Sequence, residues 1–434
     1  MRKVFLCLIL CVVSIGTMAQ PEIAQQQLAA NHNRSASNHY AYPTEALGKP
    51  SQAPAGYEPF FINHYGRHGS RWLTKQSSYD NPVATFEQLQ QLGVLNKQGE
   101  VLLEQLRKIA FEARGRAGDL SDVGAEQHQG IAQRMCQNFP EVFDGDATID
   151  ARSTVWIRCI LSMANETQAI KAYNPNIKIF TDASYHDMYY TGWGYGEDTL
   201  ANPQRKAIRH ISDSIFNARI NASRFMSQFV KDTTVIAGRF KSEKFMEAVF
   251  DIAGSLQNHH AFDGMNLFQY FTDEEIYELW KVKNIYWYLQ WANSPQGGNR
   301  MPFIERALLT NMIETADSVI ALPAGWHGAT LRFGHETCVL PLACLLEINN
   351  VNYSCDNLDD LHKHWRNYEI FPMACNIQMV YYRKPGSDDV LLQVLFNERP
   401  AKLPFDTDCF PFYHWNDIKP YYLNKLKTVI EWPE

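Results

Sequence analysis

The feature that most constrains this chain is a buried strand followed at once by a short basic loop. The run from Glu58 to Tyr65 has the length and the aromatic content of a buried strand, and Gly66 ends it abruptly. In open α/β sheets, ligands bind beyond the carboxyl ends of the strands. The loop Arg67-His68-Gly69-Ser70-Arg71 follows this strand directly, so it is placed for a binding or catalytic site.

Alternating helical and strand patterns surround this segment and return near the end of the chain. Strand, helix, strand and helix at this spacing predict an α/β fold, with a mostly parallel sheet flanked by helices. Between these two regions the pattern is mainly helical, so we expect an inserted helical lobe. The predicted helices lie at 84–111, 121–139, 155–173 and 338–348, and the predicted strands at 58–65, 147–153, 329–333, 376–383 and 390–396.

The same patterns divide the chain into parts. A short positive start, an apolar run and small residues before Ala19 predict a signal peptide at residues 1–19. We expect residues 20–55 to form an extended polar leader. Residues 56–180 and 323–434 then form the α/β core, and residues 181–322 form the helical insert, which acts as a substrate lobe.

The signal peptide predicts export to the periplasm or out of the cell. Its apolar run is too short for a stable membrane anchor, no later stretch approaches membrane-spanning length, and Cys11 lacks the small preceding residue of a lipidated cysteine. Among the cysteines that remain, no pair has the CxxC spacing of a zinc or redox site. Their number is odd and their pairing stays open: Cys136, Cys159, Cys338, Cys344, Cys355, Cys375 and Cys409.

The charge balance argues against a surface that coats nucleic acid, because 47 acidic residues exceed 40 basic ones. An anionic ligand must therefore be held by a local cluster of positive charge. Arg67 and Arg71 flank His68, and two guanidinium forks on one loop match the oxygens of a single phosphoryl group. A histidine held between arginines stays neutral because its cationic form is repelled, and a neutral imidazole nitrogen is a competent nucleophile.

Two more strand ends carry residues that fit such a site. The run from Arg332 to Thr337 precedes an apolar helix and pairs His335 with Glu336, which would set a phosphate ligand beside a proton donor. The run from Ala151 to Cys159 follows another strand and places Arg158 on the first turn of a helix.

Together these segments resemble the histidine phosphatase superfamily, in the branch of acid phosphatases, phytases and multiple inositol polyphosphate phosphatases. The run from Arg67 to Lys75 is similar to the RHGxRxPT loop of that branch, with Leu73 where proline is usual. Leu120 to Gln127 is similar to its LTxxGxxQ helix start, and Asn397 to Pro404 to its NERxxxLP segment. The resemblance covers most of residues 56–180 and 326–415 and implies a phosphoglycerate mutase-like fold.

The resemblance implies a mechanism without a metal or another cofactor, because arginines replace the cation. His68 would be the nucleophile that forms a phosphohistidine, and Glu336 would be the general acid and base. The branch has His-Asp-Thr or His-Ala-Glu-Thr at the second motif, so the geometry of Glu336, the subfamily and the substrate stay open. The resemblance assigns phosphate binding to Arg67, Arg71, Arg158, His335, Thr74 and Lys75.

The expected function is removal of phosphate from a small-molecule phosphate ester, an inositol polyphosphate such as phytate. One alternative is a broad histidine acid phosphatase acting on sugar or nucleotide phosphates, and another is a non-catalytic phosphate-ligand binder on the same scaffold. We expect no nucleic-acid partner and no membrane span, and the oligomeric state stays open. Basic residues of the insert would meet either further phosphates or solvent: Lys206, Arg209, Lys241 and Lys244.

Other patterns receive no functional assignment. Residues 192–196 alternate glycine with aromatic residues but lack the flanking strand and helix of a dinucleotide loop, so we interpret them as a turn. The histidine pairs His259-His260 and His362/His364 are interpreted as surface or packing residues rather than metal ligands.

Overall fold

An eight-stranded sheet forms the centre of the computed structural model, which describes residues 21–43, 47, 49–192 and 202–431. The order across the sheet is β3-β2-β4-β1-β5-β6-β7, and β8 pairs with β6. The strands are β1 Glu58–Arg67, β2 Thr148–Ser153, β3 Lys178–Asp182, β4 Gly328–Gly334, β5 Asn376–Arg383, β6 Val390–Phe396, β7 Arg399–Pro400 and β8 Phe412–His414.

The predicted α/β class is confirmed, but the sheet is mixed rather than mostly parallel. Strands β3, β2, β4 and β1 pair in parallel. Strand β5 pairs antiparallel with β1, and all further pairings are antiparallel as well. The short turn at residues 384–388 makes β6 antiparallel to β5, since a connection this short joins only antiparallel neighbours.

Helices cover both faces of the sheet and build a second lobe. They are α1 Pro21–Ala30, α2 Ser77–Gln91, α3 Lys97–Glu112, α4 Asp122–Asn138, α5 Pro140–Phe143, α6 Ile157–Tyr173, α7 Met188–Thr191, α8 Asn202–Arg219, α9 Ser223–Ser227, α10 Ser242–Ser255, α11 Asp273–Trp291, α12 Arg306–Ile320, α13 Glu336–Leu345, α14 Leu361–His364, α15 Asn367–Ile370 and α16 Trp415–Lys425.

Successive residues of β1 serve different faces of the sheet, as strand geometry requires. Phe61 packs into a core that includes residues of α12 and α13. Ile62 packs into a core that includes residues of α4, α5 and α6. Because both faces are covered, β1 is buried along almost its whole length. This burial holds its carboxyl end, and the basic loop after it, on a rigid support.

The segment from 202 to 322 is mainly helical, in line with the prediction. Its apolar side chains form a core that also takes in Phe86 and Leu89 of α2 and Leu102 and Leu106 of α3. The helical lobe therefore recruits two helices that precede residue 180 in the sequence. The predicted domain boundaries stay a prediction.

The prediction of an extended leader is wrong for residues 21–39, which are helical. Helix α1 is followed by a 3-10 segment at His32–His39. Ala24 and Leu28 are buried in a small core with Tyr277 and Trp280 of α11. The apolar positions of this polar stretch are spaced for a helix and dock on the insert, so the segment is anchored to the molecule.

The single helical pattern predicted for 84–111 is two helices, α2 and α3. The break falls at Gly93, which has a left-handed φ of +70°, and at Asn96, whose side chain caps α3 by accepting from the Gly99 amide. Strand β3 was not predicted, because it lies at the sheet edge with mostly exposed residues and shows little apolar pattern.

Some sequence-based predictions fall on parts outside the described residues. The predicted signal peptide lies there, as do residues 193–196 of the glycine-rich segment. Within the described residues, no helix is long and apolar enough to cross a membrane. Free thiols are found at Cys136, Cys159, Cys344, Cys355, Cys375 and Cys409.

Candidate active site

The carboxyl ends of β1 and β4 bring the two predicted histidine motifs together. The strands are parallel neighbours, and Arg67 lies opposite Gly334. The His68 amide donates to the Gly334 carbonyl at 2.9 Å, which ties the basic loop to the end of β4. The rings of His68 and His335 consequently lie with their centroids 5.6 Å apart, at 72° to each other. Residues distant in sequence thus form one site at the edge predicted for ligands.

Helices α4 and α6 hold the basic loop from a second side. The Gly69 amide donates to Oγ of Ser162 on α6 at 3.0 Å. The Ser70 amide donates to Oε1 of Gln127 on α4 at 2.9 Å, and Nε2 of Gln127 donates back to Oγ of Ser70 at 2.9 Å. These side chains satisfy the loop amides, so the loop is fixed without forming regular secondary structure.

Two facing glycines let the start of α4 touch this loop. A Cβ on Gly69 would lie 2.4 Å from the Gly124 carbonyl oxygen, and a Cβ on Gly124 would lie 2.2 Å from the Ser70 carbonyl oxygen. Neither position has room for a side chain. Gly124, the glycine of the motif-like segment from Leu120 to Gln127, is therefore needed for close backbone packing.

His68 is buried and neutral, with one defined ring nitrogen available. Its Nδ1 lies 2.9 Å from the Gly69 carbonyl oxygen, which only accepts, so Nδ1 carries the proton. This tautomer leaves the lone pair on Nε2. Burial and the charges of Arg158, Arg67 and Arg71 hold the pKa of His68 well below its usual value. The imidazole is therefore held in its neutral form, with the proton on Nδ1.

The three predicted phosphate-binding arginines converge on this histidine. Arg67 is fully buried and donates through Nη1 to Phe371 O at 2.9 Å and through Nη2 to Asn38 O at 2.7 Å. Arg71 donates from Nη1 to its neighbour's carbonyl at 3.0 Å. The Nε atoms of Arg71 and Arg158 are buried, and no hydrogen-bond partner is seen for either in the described part of the chain. Buried, unused guanidinium donors of this kind suit an anion.

His335 lies between the strand ends and is also neutral. Its Nε2 is 3.4 Å from Oγ1 of Thr154, and the Cys159 thiol lies 3.8 Å from the same nitrogen. Burial, followed by the positive charge of Arg158, lowers the pKa of His335 to about 3. A neutral imidazole has one N–H to donate, so it fits the role of a phosphate oxygen donor.

Glu336, the first residue of α13, is held in its ionised form. Its Oε2 is 3.1 Å from Nε of Arg67 and 3.8 Å from Nε2 of His68. Burial raises the pKa of this carboxyl, but the nearby Arg67 and Arg71 outweigh burial and bring the pKa to about 2. The ionised carboxylate can accept a proton, and neutralising the nearby positive charges would raise its pKa.

The same residues include a group that a metal could bridge, since one ligand atom each from His68, His335 and Glu336 lies within 4.8 Å of the others. Three guanidinium groups surround this point, however, and their field repels a cation as strongly as it attracts an anion. The donor set therefore suits a phosphoryl group better than a metal ion.

Not every residue of the motifs is buried in this site. Thr74 and Lys75 are exposed on the loop, and among the described residues no hydrogen bond or ion pair joins either of them to Glu336 or His68. Arg332 is buried elsewhere, where it donates to Asn63 and Asn311. In the insert, Lys206, Arg209 and Lys241 are exposed, and Lys244 pairs with Glu247 at 3.0 Å.

Two residues that complete the site were not predicted from the sequence. Asn38 comes from the polar leader, contacts Glu336 at 3.3 Å and accepts from Arg67. Asn258 comes from the insert and accepts from Oγ of Ser70 at 2.6 Å. Neither segment carries a local motif. The only available signal was the excess of asparagine, serine and histidine at 31–39, which is unusual for a docked helical segment.

The remaining histidines pack or face solvent. His259 stacks on Trp72 with centroids 3.9 Å apart, and exposed His260 pairs with Glu126 at 3.1 Å. His362 lies edge-on to Tyr277, and His364 stacks on Tyr353. These contacts agree with the interpretation as packing and surface residues.

No protein-family profile matches this sequence, and no curated protein matches it. Solved structures match over nearly the whole chain. The multiple inositol polyphosphate phosphatase of Bifidobacterium longum, in complex with phosphate, has a TM-score of 0.73 at 18% identity, covering 91% of this chain and 99% of that one. A phytase from D. castellii has a TM-score of 0.64 at 14% identity, covering 92% and 86%. The Hafnia alvei phytase without ligand has 0.53 at 14% identity, covering 86% and 98%.

These similarities show that the chain has the fold of the multiple inositol polyphosphate phosphatases and phytases. The predicted resemblance to the histidine acid phosphatase branch is therefore confirmed at the level of the fold.

Proposed function

We propose that this protein is a phosphoric monoester hydrolase that acts through a phosphohistidine on His68. The single observation that carries the proposal is the orientation of His68, whose Nδ1–H donates to the Gly69 carbonyl and leaves Nε2 unprotonated beside Glu336. A neutral nucleophile surrounded by three arginines is what attack on a phosphate dianion requires.

In the first step, the lone pair on Nε2 of His68 attacks phosphorus and the bond from phosphorus to the ester oxygen breaks. Arg67, Arg71, Arg158 and His335 hold the non-bridging oxygens and stabilise their charge. The leaving oxygen takes the proton of the Glu336 carboxyl and departs as an alcohol. The products of this step are a phosphohistidine and an ionised Glu336.

In the second step, water replaces the alcohol. Its oxygen attacks phosphorus while the Glu336 carboxylate takes one of its protons, and the bond from phosphorus to nitrogen breaks. The electron pair returns to Nε2, and inorganic phosphate leaves. Glu336 is protonated while phosphate remains bound, returns that proton to solvent when phosphate leaves, and takes up another when the next substrate binds.

We propose inositol polyphosphates, phytate among them, as the substrate class. The support is the fold, which matches a phosphatase of that name and two phytases over at least 86% of this chain. A similar structure is a complex of the Bifidobacterium longum enzyme with inositol hexasulfate, a sulfated analogue of the same ring, at a TM-score of 0.71. Thr74 and Lys75 lie exposed on the basic loop and are proposed to contact the substrate beyond the reacting phosphate.

We also propose that the protein is exported, on the N-terminal pattern of residues 1–19. Export would expose a hydrolase to phosphate esters outside the cytoplasm. The form that is secreted or periplasmic would begin near Gln20, shortly before α1.

The test is phosphate release from inositol hexakisphosphate and p-nitrophenyl phosphate across pH 3 to 8, with EDTA present. Wild-type protein should hydrolyse both, with preference for the inositol ester, and His68→Ala should be inactive on both. An acid quench is unsuitable because phosphohistidine hydrolyses in acid. The intermediate is therefore trapped with ³²P-labelled substrate and an alkaline quench. Equal or reversed preference would favour a broad acid phosphatase. If folded wild-type protein releases phosphate from neither ester, the proposal is contradicted.

A further inference from the structure

The N-terminal segment reaches across the molecule into the site. Asn38, at the end of the 3-10 segment, lies 298 residues from Glu336 in sequence, and its Nδ2 donates to Oε1 of Glu336 at 3.3 Å. The backbone carbonyl of the same residue accepts from Nη2 of Arg67 at 2.7 Å. Asn38 thus contacts both the proposed acid, Glu336, and a residue proposed to bind phosphate, Arg67.

The segment is held in this position by its own set of contacts. Nδ2 of Asn367 donates to Oγ of Ser37 at 2.8 Å, and Nδ2 of Asn258 donates to the His39 carbonyl at 2.8 Å. Ser37 has φ +58° and ψ −123°, a backbone conformation that a residue with a side chain rarely adopts. Such a conformation persists only where the surroundings enforce it, and it is concentrated at functional sites.

We infer that Asn38 is a positioning residue, which orients the Glu336 carboxyl and stabilises its ionised form while its carbonyl oxygen fixes Arg67. The inference rests on the proposed function, because it assigns Asn38 an effect on the acid of that reaction. It is independent of the substrate's identity, since Asn38 acts through Glu336 and Arg67.

The direction of the effect follows from the hydrogen bond. An amide N–H donated to a carboxylate favours the charged form, so its removal makes the carboxyl easier to protonate. The guanidiniums of Arg67 and Arg71 act in the same direction as Asn38, and burial acts against them. The other titratable groups facing Glu336 are His68, His335, His39, Cys159 and Cys375, and an Asn38 variant leaves each of these side chains in place.

The test compares kcat against pH for wild type, Asn38→Ala and Asn38→Asp. The alkaline limb of kcat reports the proton on Glu336 in the bound state, so Asn38→Ala should move it upward by about half to one pH unit. Asn38→Asp preserves the shape and places a second carboxylate there, so the limb should move further in the same direction. KM should change little while the alkaline limb of kcat shifts, because the backbone carbonyl of residue 38 still accepts from Arg67.

The control is Asn33→Ala, an exposed asparagine of the same 3-10 segment, whose limb should coincide with that of wild type. If the Asn38→Ala and Asn38→Asp profiles also coincide with wild type while turnover persists, the positioning inference is wrong and the proposed function stands. Should Asn38→Ala fail to fold, the isosteric Asn38→Asp still decides the question.

A binding measurement separates this inference from the proposed function. Calorimetric titration with inorganic phosphate over the same pH range should show affinity in Asn38→Ala persisting to higher pH than in Asn33→Ala. This result would support the inference even in a protein without turnover. Wild-type protein that neither turns over an ester nor binds phosphate would overturn both.

Discussion

The Glu336 carboxylate lies 3.1 Å from Nε of Arg67, in a site where both side chains are almost completely buried. This ion pair keeps the proposed acid ionised until an anion competes for the arginine. A bound phosphoryl group would therefore release Glu336 from Arg67 at the moment when a proton donor is needed. Anion binding and protonation of Glu336 should therefore be coupled electrostatically, and this coupling can be measured.

Anion binding should take up a proton on Glu336. The pKa of this carboxyl is about 2, because Arg67 and Arg71 outweigh burial, and it should rise when an anion neutralises them. Sulfate is the suitable probe, since it does not titrate near neutral pH. Calorimetry at pH 6 in two buffers of different ionisation enthalpy should show proton uptake, and sulfate affinity should rise as pH falls. Glu336→Gln should abolish the uptake, and unchanged uptake in that variant would contradict the assignment.

Glu336→Gln should slow hydrolysis in proportion to how poor the leaving group is. General acid catalysis contributes about 10²–10⁴-fold, so loss of that order is expected with glycerol 2-phosphate, an alkyl ester. With p-nitrophenyl phosphate the leaving group needs no proton, and the loss should be much smaller. Glu314→Gln, on the exposed side of α12, is the matched control and should leave both rates unchanged. Equal losses on both esters would argue against Glu336 as the acid.

Gly124→Ala should displace the basic loop. The new Cβ would lie 2.2 Å from the Ser70 carbonyl oxygen, a distance that requires the backbone to move. We expect a loss of about 1–3 kcal/mol in the free energy of unfolding from this overpacking, together with a large loss of kcat. Gly325→Ala is the control, because nothing lies within 4 Å of its Cβ position. Chemical denaturation and steady-state kinetics on both variants check the prediction; wild-type kcat in Gly124→Ala would show that the loop tolerates the shift.

His259→Phe should reduce the slope with which the free energy of unfolding falls as the pH is lowered. Burial lowers the pKa of His259 to about 4, so between pH 6.5 and 4 the unfolded chain binds a proton there that the folded protein does not. The free energy of unfolding therefore falls as pH falls through this window. Each such histidine contributes up to about 1.4 kcal/mol per pH unit, and phenylalanine keeps the stack on Trp72 without titrating. Urea unfolding of both proteins at several pH values gives the slopes, which should differ; parallel slopes would mean that His259 titrates normally.

Much of this site could be predicted from local sequence. His68, Arg67 and Arg71 follow an apolar run with a clear strand pattern, and His335 and Glu336 follow a second one. Because parallel strands end at the same edge of a sheet, the two motifs could be expected to meet, and Arg67 does lie opposite Gly334. The mixed character of the sheet was missed, since strand direction depends on which neighbours pair and not on the strand pattern.

The sequence by itself determined the strand ends and the chemistry of the loop, because each depends on residue types a few positions apart. Only the tertiary structure decided which side chains from elsewhere complete the site. Asn38 contacts Glu336 and Asn258 contacts Ser70 through tertiary packing, and no periodic pattern in the sequence predicts either contact. The ionisation of Glu336 was likewise decided by the tertiary structure, because a pKa depends on the distances to Arg67 and Arg71 and on burial, and no spacing along the chain contains those quantities.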